Sequence, residues 1–444
     1  MPHDDLRAAA RGASWGNVTA RSATALQVQL RSTPLAALGR GVEACAGALA
    51  RPLVAGVVAL VVYLARAAAG TGLARSSEAY FNFLADAFLH GQIALRIAPP
   101  GTLDLVYYGE RIYIYWPPFP ALLIAPLVAL VGVGLSDRLY TAIFAALTLG
   151  LLAALLALLD RRGIAPLSAA RRGALVATVG FGSMLLILAP AGNVWATTQI
   201  VGWGCALCAA LVALGVGGGP GYLLTGLALA CALATRNALV LNGIWLAYYL
   251  LVRDGGLPRA QLLRRMALGL APIMATVALL AWYNVARFGD PLQLGIPWHN
   301  MHPSFRADYE RYGLFNLHYL PTNLYYQFIA YALFTPDRWQ GSGLFWMSPL
   351  LLGAPWALWS GRRNPLIWAL VVTCALLYVP IGVLMGTGYF QFGPRYLIDL
   401  LVPLVALAAI GIRRWPPLVV GLATAIGIGT YVAGSILWWM TLGV

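Results

Sequence analysis

The chain has 444 residues, of which 60% are hydrophobic and only 10% charged, with a mean hydropathy of +0.76. Apolar runs near the length of a bilayer crossing recur throughout, which excludes a soluble domain; they are continuous rather than alternating, which excludes a transmembrane β-barrel. The formal charge of +14 does not mark a nucleic-acid partner, because the basic residues are all arginines and fall mostly in short loops between apolar segments, as cytoplasmic loops do.

Residues 1–51 form an Ala- and Arg-rich N-terminal segment, expected to lie in the cytoplasm without a signal peptide and to include an interfacial helix around 25–50. The rest, 52–444, reads as one all-α polytopic membrane domain. Its first span covers 52–70 and follows Arg40 and Arg51, so the N-terminus is expected inside. A first outer loop then runs over 71–138 and holds the longest polar interval of the N-terminal half, 75–118. Glu78, Asp86, Asp104, Glu110, Arg75, Arg96 and Arg111 are found here among tyrosines and a tryptophan. In a helix Glu78, Asn82, Asp86 and His90 would recur every fourth residue and share a face, with Phe81, Leu84 and Phe88 on another. Asp104 follows a Pro-Pro-Gly turn and precedes the strand-like YYGERIYIYWPP; Glu110, beside a turn glycine, reads as exposed.

The apolar run 118–135 is short and interrupted by Pro120 and Pro126. If it crossed, the arginine-rich loops 160–172 and 253–265, and the pairs Arg362–Arg363 and Arg413–Arg414, would lie outside. Treated as re-entrant or interfacial, it leaves all of them inside. Further spans are expected at 139–159, 173–191, 197–216, 221–236, 238–252, 266–285, 343–359, 365–386, 396–412 and 417–440, about eleven crossings with the C-terminus outside. On that topology 18 of the 29 arginines but only 5 of the 15 acids face the cytoplasm. Two more outer loops cover 286–342, with an apolar piece at 320–334 expected on the membrane surface, and 387–396. Of the five cysteines, Cys205 and Cys208 form a CxxC inside an apolar span, where helix packing is the expected role. Polar chemistry is thus concentrated on one side, whereas a transporter or flippase more often keeps ionisable groups mid-span.

The order of these parts resembles the GT-C superfamily of integral-membrane glycosyltransferases, in particular the bacterial lipid A aminoarabinose transferases and the protein O-mannosyltransferases. The resemblance rests on the first outer loop with an acid near its start, the aromatic YFNFLADAFLHG, the YYGERIYIYWPP stretch, WYNVARFGDPLQLG before the second outer loop, and FQFGPRYLIDLLVP at a late span. Two positions depart from the family pattern. The Asp-Glu pair before the aromatic helix falls on Ser76–Ser77 without a gap, or brings only Glu78 into place after a one-residue shift. The lysine before Pro-Pro is Trp116.

The resemblance implies an inverting enzyme of the inner membrane that moves a sugar from a polyprenyl-phosphate donor to an acceptor hydroxyl on a glycan, lipid or protein, at the outer face. An O-antigen ligase or polymerase-like enzyme would share that chemistry. Such transfer needs a base for the acceptor hydroxyl and cations for the departing phosphate. The candidate acids are Glu78 first, then Asp104 and Asp86. Arg395 and Arg236, each at the outer end of an expected span, are the candidate phosphate ligands, since arginine's fork suits phosphate oxygens. Either could instead pair with an acid such as Asp399. Tyr396, Gln391, Tyr115 and Trp116 complete the expected substrate contacts. No cofactor is required by this chemistry; the HxxH of His299 and His302 leaves room for a divalent metal, as some GT-C enzymes use one.

Overall fold

A computed structural model describes residues 34–70, 72–331, 340–388 and 390–442. The fold is almost entirely helical. α1 (Pro34–Leu49) and α2 (Pro52–Ala69) are followed by the first outer loop, which contains α3 (Tyr80–Leu89), the hairpin β1 (Leu105–Tyr108) and β2 (Arg111–Ile114), and α4 (Phe119–Val131). The bundle continues with α5 (Asp137–Arg161), α6 (Ala169–Phe181), α7 (Leu185–Ala191), α8 (Asn193–Gly215), α9 (Gly218–Leu233), α10 (Gly243–Arg253) and α11 (Arg259–Phe288). α12 (Pro303–Tyr312) belongs to the second outer loop; α13 (Gly353–Gly361), α14 (Pro365–Gly382), α15 (Leu401–Gly411) and α16 (Pro417–Leu442) complete the bundle. The N-terminal helix begins at residue 34; the earlier part of the helix expected around 25–50 lies outside the described residues.

Among the described residues seven helical segments are long and apolar enough to cross a membrane, or eight if α6 and α7, bent by 50°, count as one span. The count of about eleven is therefore not reached by helix length. Three expected spans are short or broken: 221–236 folds as the 16-residue α9, 238–252 as a 3₁₀ turn (Asn237–Asn242) followed by α10, and 343–359 as the turns Leu344–Met347 and Pro349–Leu352 before α13. Glycine and proline explain much of this, since Gly243, Pro349 and Gly353 stand at the breaks. The piece at 320–324 is a short helix running into a π turn at Tyr325–Ile329.

The arginine loops gather at one end of the bundle. Arg171 donates to the carbonyls of Arg413 and Trp415 at the far end of the sequence, and Arg172 pairs with Asp160. Arg253 donates to Ala213 and Val216 O at 2.9 and 3.0 Å and, with Arg265, holds Asp254. α1 packs at this end too, so close that a side chain at Gly173 would strike the backbone of Ala46.

The outer loops gather at the other end. α4 begins with Phe119 N donating to Ala234 O (2.9 Å) and is followed by Val133 and Leu135, whose carbonyls accept from Asn82 Nδ2 at 3.2 and 2.7 Å. Both ends of α4 are thus tied to the outer-loop end. Arg287, buried at the end of α11, donates to Ile114 O (2.6 Å) and fixes the hairpin on the bundle. The hairpin turns through Gly109 and Glu110 at φ +55° and +60°, the positive pair of a type I′ turn. Glu110 is an exposed turn residue.

Candidate functional site

A half-open cavity of about 340 Å³ lies where α2, α5, α7, α8 and the 387–396 loop meet at one end of the bundle. Arg66, Arg138 and Arg395 line it together with Ser77, Glu78 and Asn193. Arg66 comes from the last turn of α2, Arg138 from the first turn of α5, and Arg395 opens the 3₁₀ turn that leads into α15. Neither Arg66 nor Arg395 has an acidic partner among the described residues, and the Nε of each is buried without a hydrogen bond. Three guanidiniums and one carboxylate thus share the cavity lining, and a guanidinium cluster of this kind can hold an anion.

The loop that carries Glu78 is held from below by Asp137, a fully buried carboxylate. It accepts from Ser76 N (2.8 Å), the Ser76 hydroxyl and Asn193 N (2.8 Å). A carboxylate at position 76 would face Asp137 as a like charge; serine turns that contact into a hydrogen bond. Glu78 therefore projects as the acid of the cavity, with Oε1 accepting from the Ser77 hydroxyl at 2.8 Å. It precedes α3 instead of lying on it, so the expected face of Glu78, Asn82, Asp86 and His90 is broken. Asn82 is buried and also accepts from the Tyr140 phenol (3.1 Å). Asp86 leaves the site: Arg96 pairs with it at 3.2 Å and His90 lies 3.6 Å away.

Asp104 sits in a second compartment beside the cavity. The segment at His299–Asn300 runs along β1, with Asp104 N donating to Asn300 O and Asn300 N to Leu105 O. This brings His299 Nε2 to 3.3 Å from Asp104 Oδ1, while Trp195 Nε1 donates to Oδ2 at 2.8 Å. Burial holds the His299 imidazolium below its ordinary value, against the upward pull of Asp104. Tyr115 stacks on Trp116 with ring centres 4.0 Å apart, and its edge meets His299 at 4.9 Å. The Tyr80 phenol donates to Leu103 O at 2.7 Å and is raised well above its usual range by burial and then by Glu78 and Asp104. Of the two acids, only Glu78 lines the arginine cavity.

Of the expected phosphate ligands, Arg236 is occupied. Its Nε and Nη2 both donate to Asp399 Oδ2, at 3.0 and 2.7 Å, and Asp399 is only 1% exposed. Gln391 is spent on the loop: its amide donates to Thr387 and Gln340 carbonyls, and its oxygen accepts Arg395 N at 3.2 Å. It positions Arg395 and has no donor left over. Tyr396 lies under the Arg395 guanidinium, 5.2 Å from its ring centre. The HxxH histidines diverge, since His302 caps α12 by accepting from Ser304 N. Among the described residues no three His, Cys, Asp or Glu side chains form a group that could hold a metal.

No family model matches the chain, and no curated protein matches it in sequence. The solved structure of ArnT from Cupriavidus metallidurans in the apo state does match in shape, with a TM-score of 0.50 over 83% of this chain at 17% identity. This is the ArnT fold. The ArnT crystal structure bound to undecaprenyl phosphate aligns over 86% of the chain with a TM-score of 0.48 at 19% identity. The chain spans about three fifths of the ArnT chains, 60% and 63% respectively. ArnT is a GT-C glycosyltransferase acting on lipid A, so the fold is the one that the resemblance in sequence implied. Arg66, Arg138 and Asp137 escaped the sequence reading. Asp137 and Arg138 directly follow Ser136, whose hydroxyl accepts Leu139 N, so they read as the ordinary first turn of a capped helix.

Proposed function

We propose that this protein is a membrane glycosyltransferase that moves a sugar from a polyprenyl-phosphate donor to an acceptor hydroxyl. The carrying observation is the cavity that Arg66 and Arg395, without an acidic partner among the described residues, line together with Glu78. In this reading Arg395 and Arg66, with Arg138 beside them, hold the donor phosphate. Glu78 takes the proton of the acceptor hydroxyl as its oxygen attacks the anomeric carbon. The bond from that carbon to the phosphate oxygen breaks, the configuration inverts, and polyprenyl phosphate leaves with the added negative charge facing the arginines. Charge that develops on the phosphate only as the bond breaks is where fixed guanidiniums contribute to rate as well as to binding.

Arg236 and Asp399 form a fixed wall beside Tyr115, and the Asp104–His299–Trp195 group orients the aromatic compartment. By the arginine rule the cavity opens on the outer face of the inner membrane, with the N-terminus cytoplasmic and the C-terminus outside. The placement of ionisable side chains toward the two ends of the bundle favours this reading over a transporter, which would carry them along a path through the middle. The acceptor is a glycan, lipid or protein hydroxyl. The test is turnover of a polyprenyl-phosphate-linked sugar by the purified full chain in vesicles, read as release of polyprenyl phosphate. Turnover that needs Glu78 and Arg395 supports the proposal, and vectorial solute movement without any glycosidic bond change would replace it with the transporter reading.

A further inference from the structure

A second cavity, of about 470 Å³, lies beside the arginine cavity, and Phe390 lines both. Its walls come from α12, the 316–324 segment and the 382–387 loop. These are clasped together: Met385 N donates to Leu314 O, Asn316 N to Val383 O, and the buried Asn323 amide to the carbonyls of Gly382 and Leu384. Gly386, at φ +75°, brings the loop so close that a Cβ would lie 2.7 Å from the Phe305 ring. The cavity is therefore a built feature of the second outer loop and the 382–387 loop.

Its lining differs in kind from that of its neighbour. Phe305, Phe390 and Tyr319 supply ring surface, while Asp308, Ser304 and Thr322 supply short hydrogen-bonding groups. No arginine lines it among the described residues, whereas three line the other cavity. Aromatic planes beside carboxylate and hydroxyl groups suit the C–H faces and hydroxyls of a sugar. Asp308, with no guanidinium among the described lining residues, disfavours a phosphorylated or carboxylated ligand.

Resting on the proposed transferase reading, we infer that this second cavity is the acceptor subsite and that it takes an uncharged or amine-bearing saccharide. The hydroxyl to be glycosylated would pass Phe390 into the cavity that holds Glu78. The two outer loops then have separate tasks, the first providing the base and the second choosing the acceptor.

Saturation-transfer NMR on the detergent-solubilised full chain tests this, with glucose, galactose, mannose, N-acetylglucosamine and glucosamine as probes and glucose 6-phosphate as the charged comparison. At least one neutral or amino sugar should receive saturation from the protein, and glucose 6-phosphate should receive less. Asp308→Ala and Phe305→Ala, both on exposed or half-exposed positions of α12, should weaken that binding about fivefold or more. Arg395→Ala should leave it unchanged. The inference is overturned if no sugar binds, if the Asp308 and Phe305 variants bind as the wild type does, or if Arg395→Ala removes the signal and so places the sugar in the arginine cavity. Failure of the transferase reading itself shows separately, as undecaprenyl phosphate binding that ignores Arg395→Ala.

Discussion

The two ends of the bundle use arginine in opposite ways. At the end of the arginine-rich loops the guanidiniums have partners: Arg171 two carbonyls, Arg172 Asp160, Arg253 Ala213, Val216 and Asp254, and Arg265 Asp254. At the cavity end Arg236 is paired in the same manner by Asp399, but Arg66 and Arg395 have no acidic partner among the described residues. The first kind of arginine reports topology and local structure. On the proposed reading, the second kind is a cation that a bound phosphate would pair. Pairing, not position, separates the two, which is why Arg236 and Arg395 look equivalent in sequence and differ in the fold.

Substitutions can break this contrast. The largest effect is expected at the base: Glu78→Gln should lower transfer by about 100- to 10,000-fold while polyprenyl phosphate still binds, because the amide keeps the shape and loses the basicity. Asp104→Asn should lose less, chiefly through weaker binding, since its carboxylate is engaged by Trp195 and His299. Next, Arg395→Ala should reduce transfer by about 30- to 1000-fold, and Arg395→Lys should restore only part of it, as a point charge cannot copy the fork. Wild-type turnover in either Arg395 variant would reduce that residue to a structural one.

Removal of Arg236 tests the paired class. Arg236→Ala strands the buried Asp399 carboxylate and should destabilise the protein by roughly 3–5 kcal/mol, read as thermal inactivation in detergent. The double variant Arg236→Met with Asp399→Leu should recover most of that loss; if it does not, the pair has a role beyond its own neutralisation. At the opposite end, Arg172→Gln should cost roughly 0–1 kcal/mol and leave transfer unchanged. The smallest effect concerns pH. Because the folded His299 has its proton affinity lowered by burial, its contribution to stability is present above the ordinary histidine value of about 6.5 and is lost as pH falls below it. His299→Gln should flatten the fall in melting temperature on that acid side, and an unchanged slope would assign the fall to another group.

The sequence carried the fold class because its signals are additive along the chain: apolar runs, arginine loops and the alternating aromatic hairpin each depend on local residues. The number of crossings was less legible, since α9, α10 and the 344–361 segment are short pieces whose apolar stretches join only in the fold. Site residues divided the same way. Glu78 and Arg395 stood out as charges beside apolar spans. Asp86, a lower-ranked candidate in the same loop, is paired with Arg96. Arg66 and Arg138 did not stand out, because a cation in the last turn of a span and one following a helix cap are ordinary local features. Only their convergence on one cavity marks them, and convergence is a property of packing between segments about seventy residues apart in sequence.

The central claim is that unpaired arginines make the cavity a phosphate site, and its most direct test is the affinity of the purified full chain for undecaprenyl phosphate in three forms: wild type, Arg395→Ala and Arg172→Gln. The account predicts binding in the wild type, the same affinity in Arg172→Gln, and a loss of about 30-fold or more in Arg395→Ala. Equal affinity in all three, or no binding by the wild type, would contradict it.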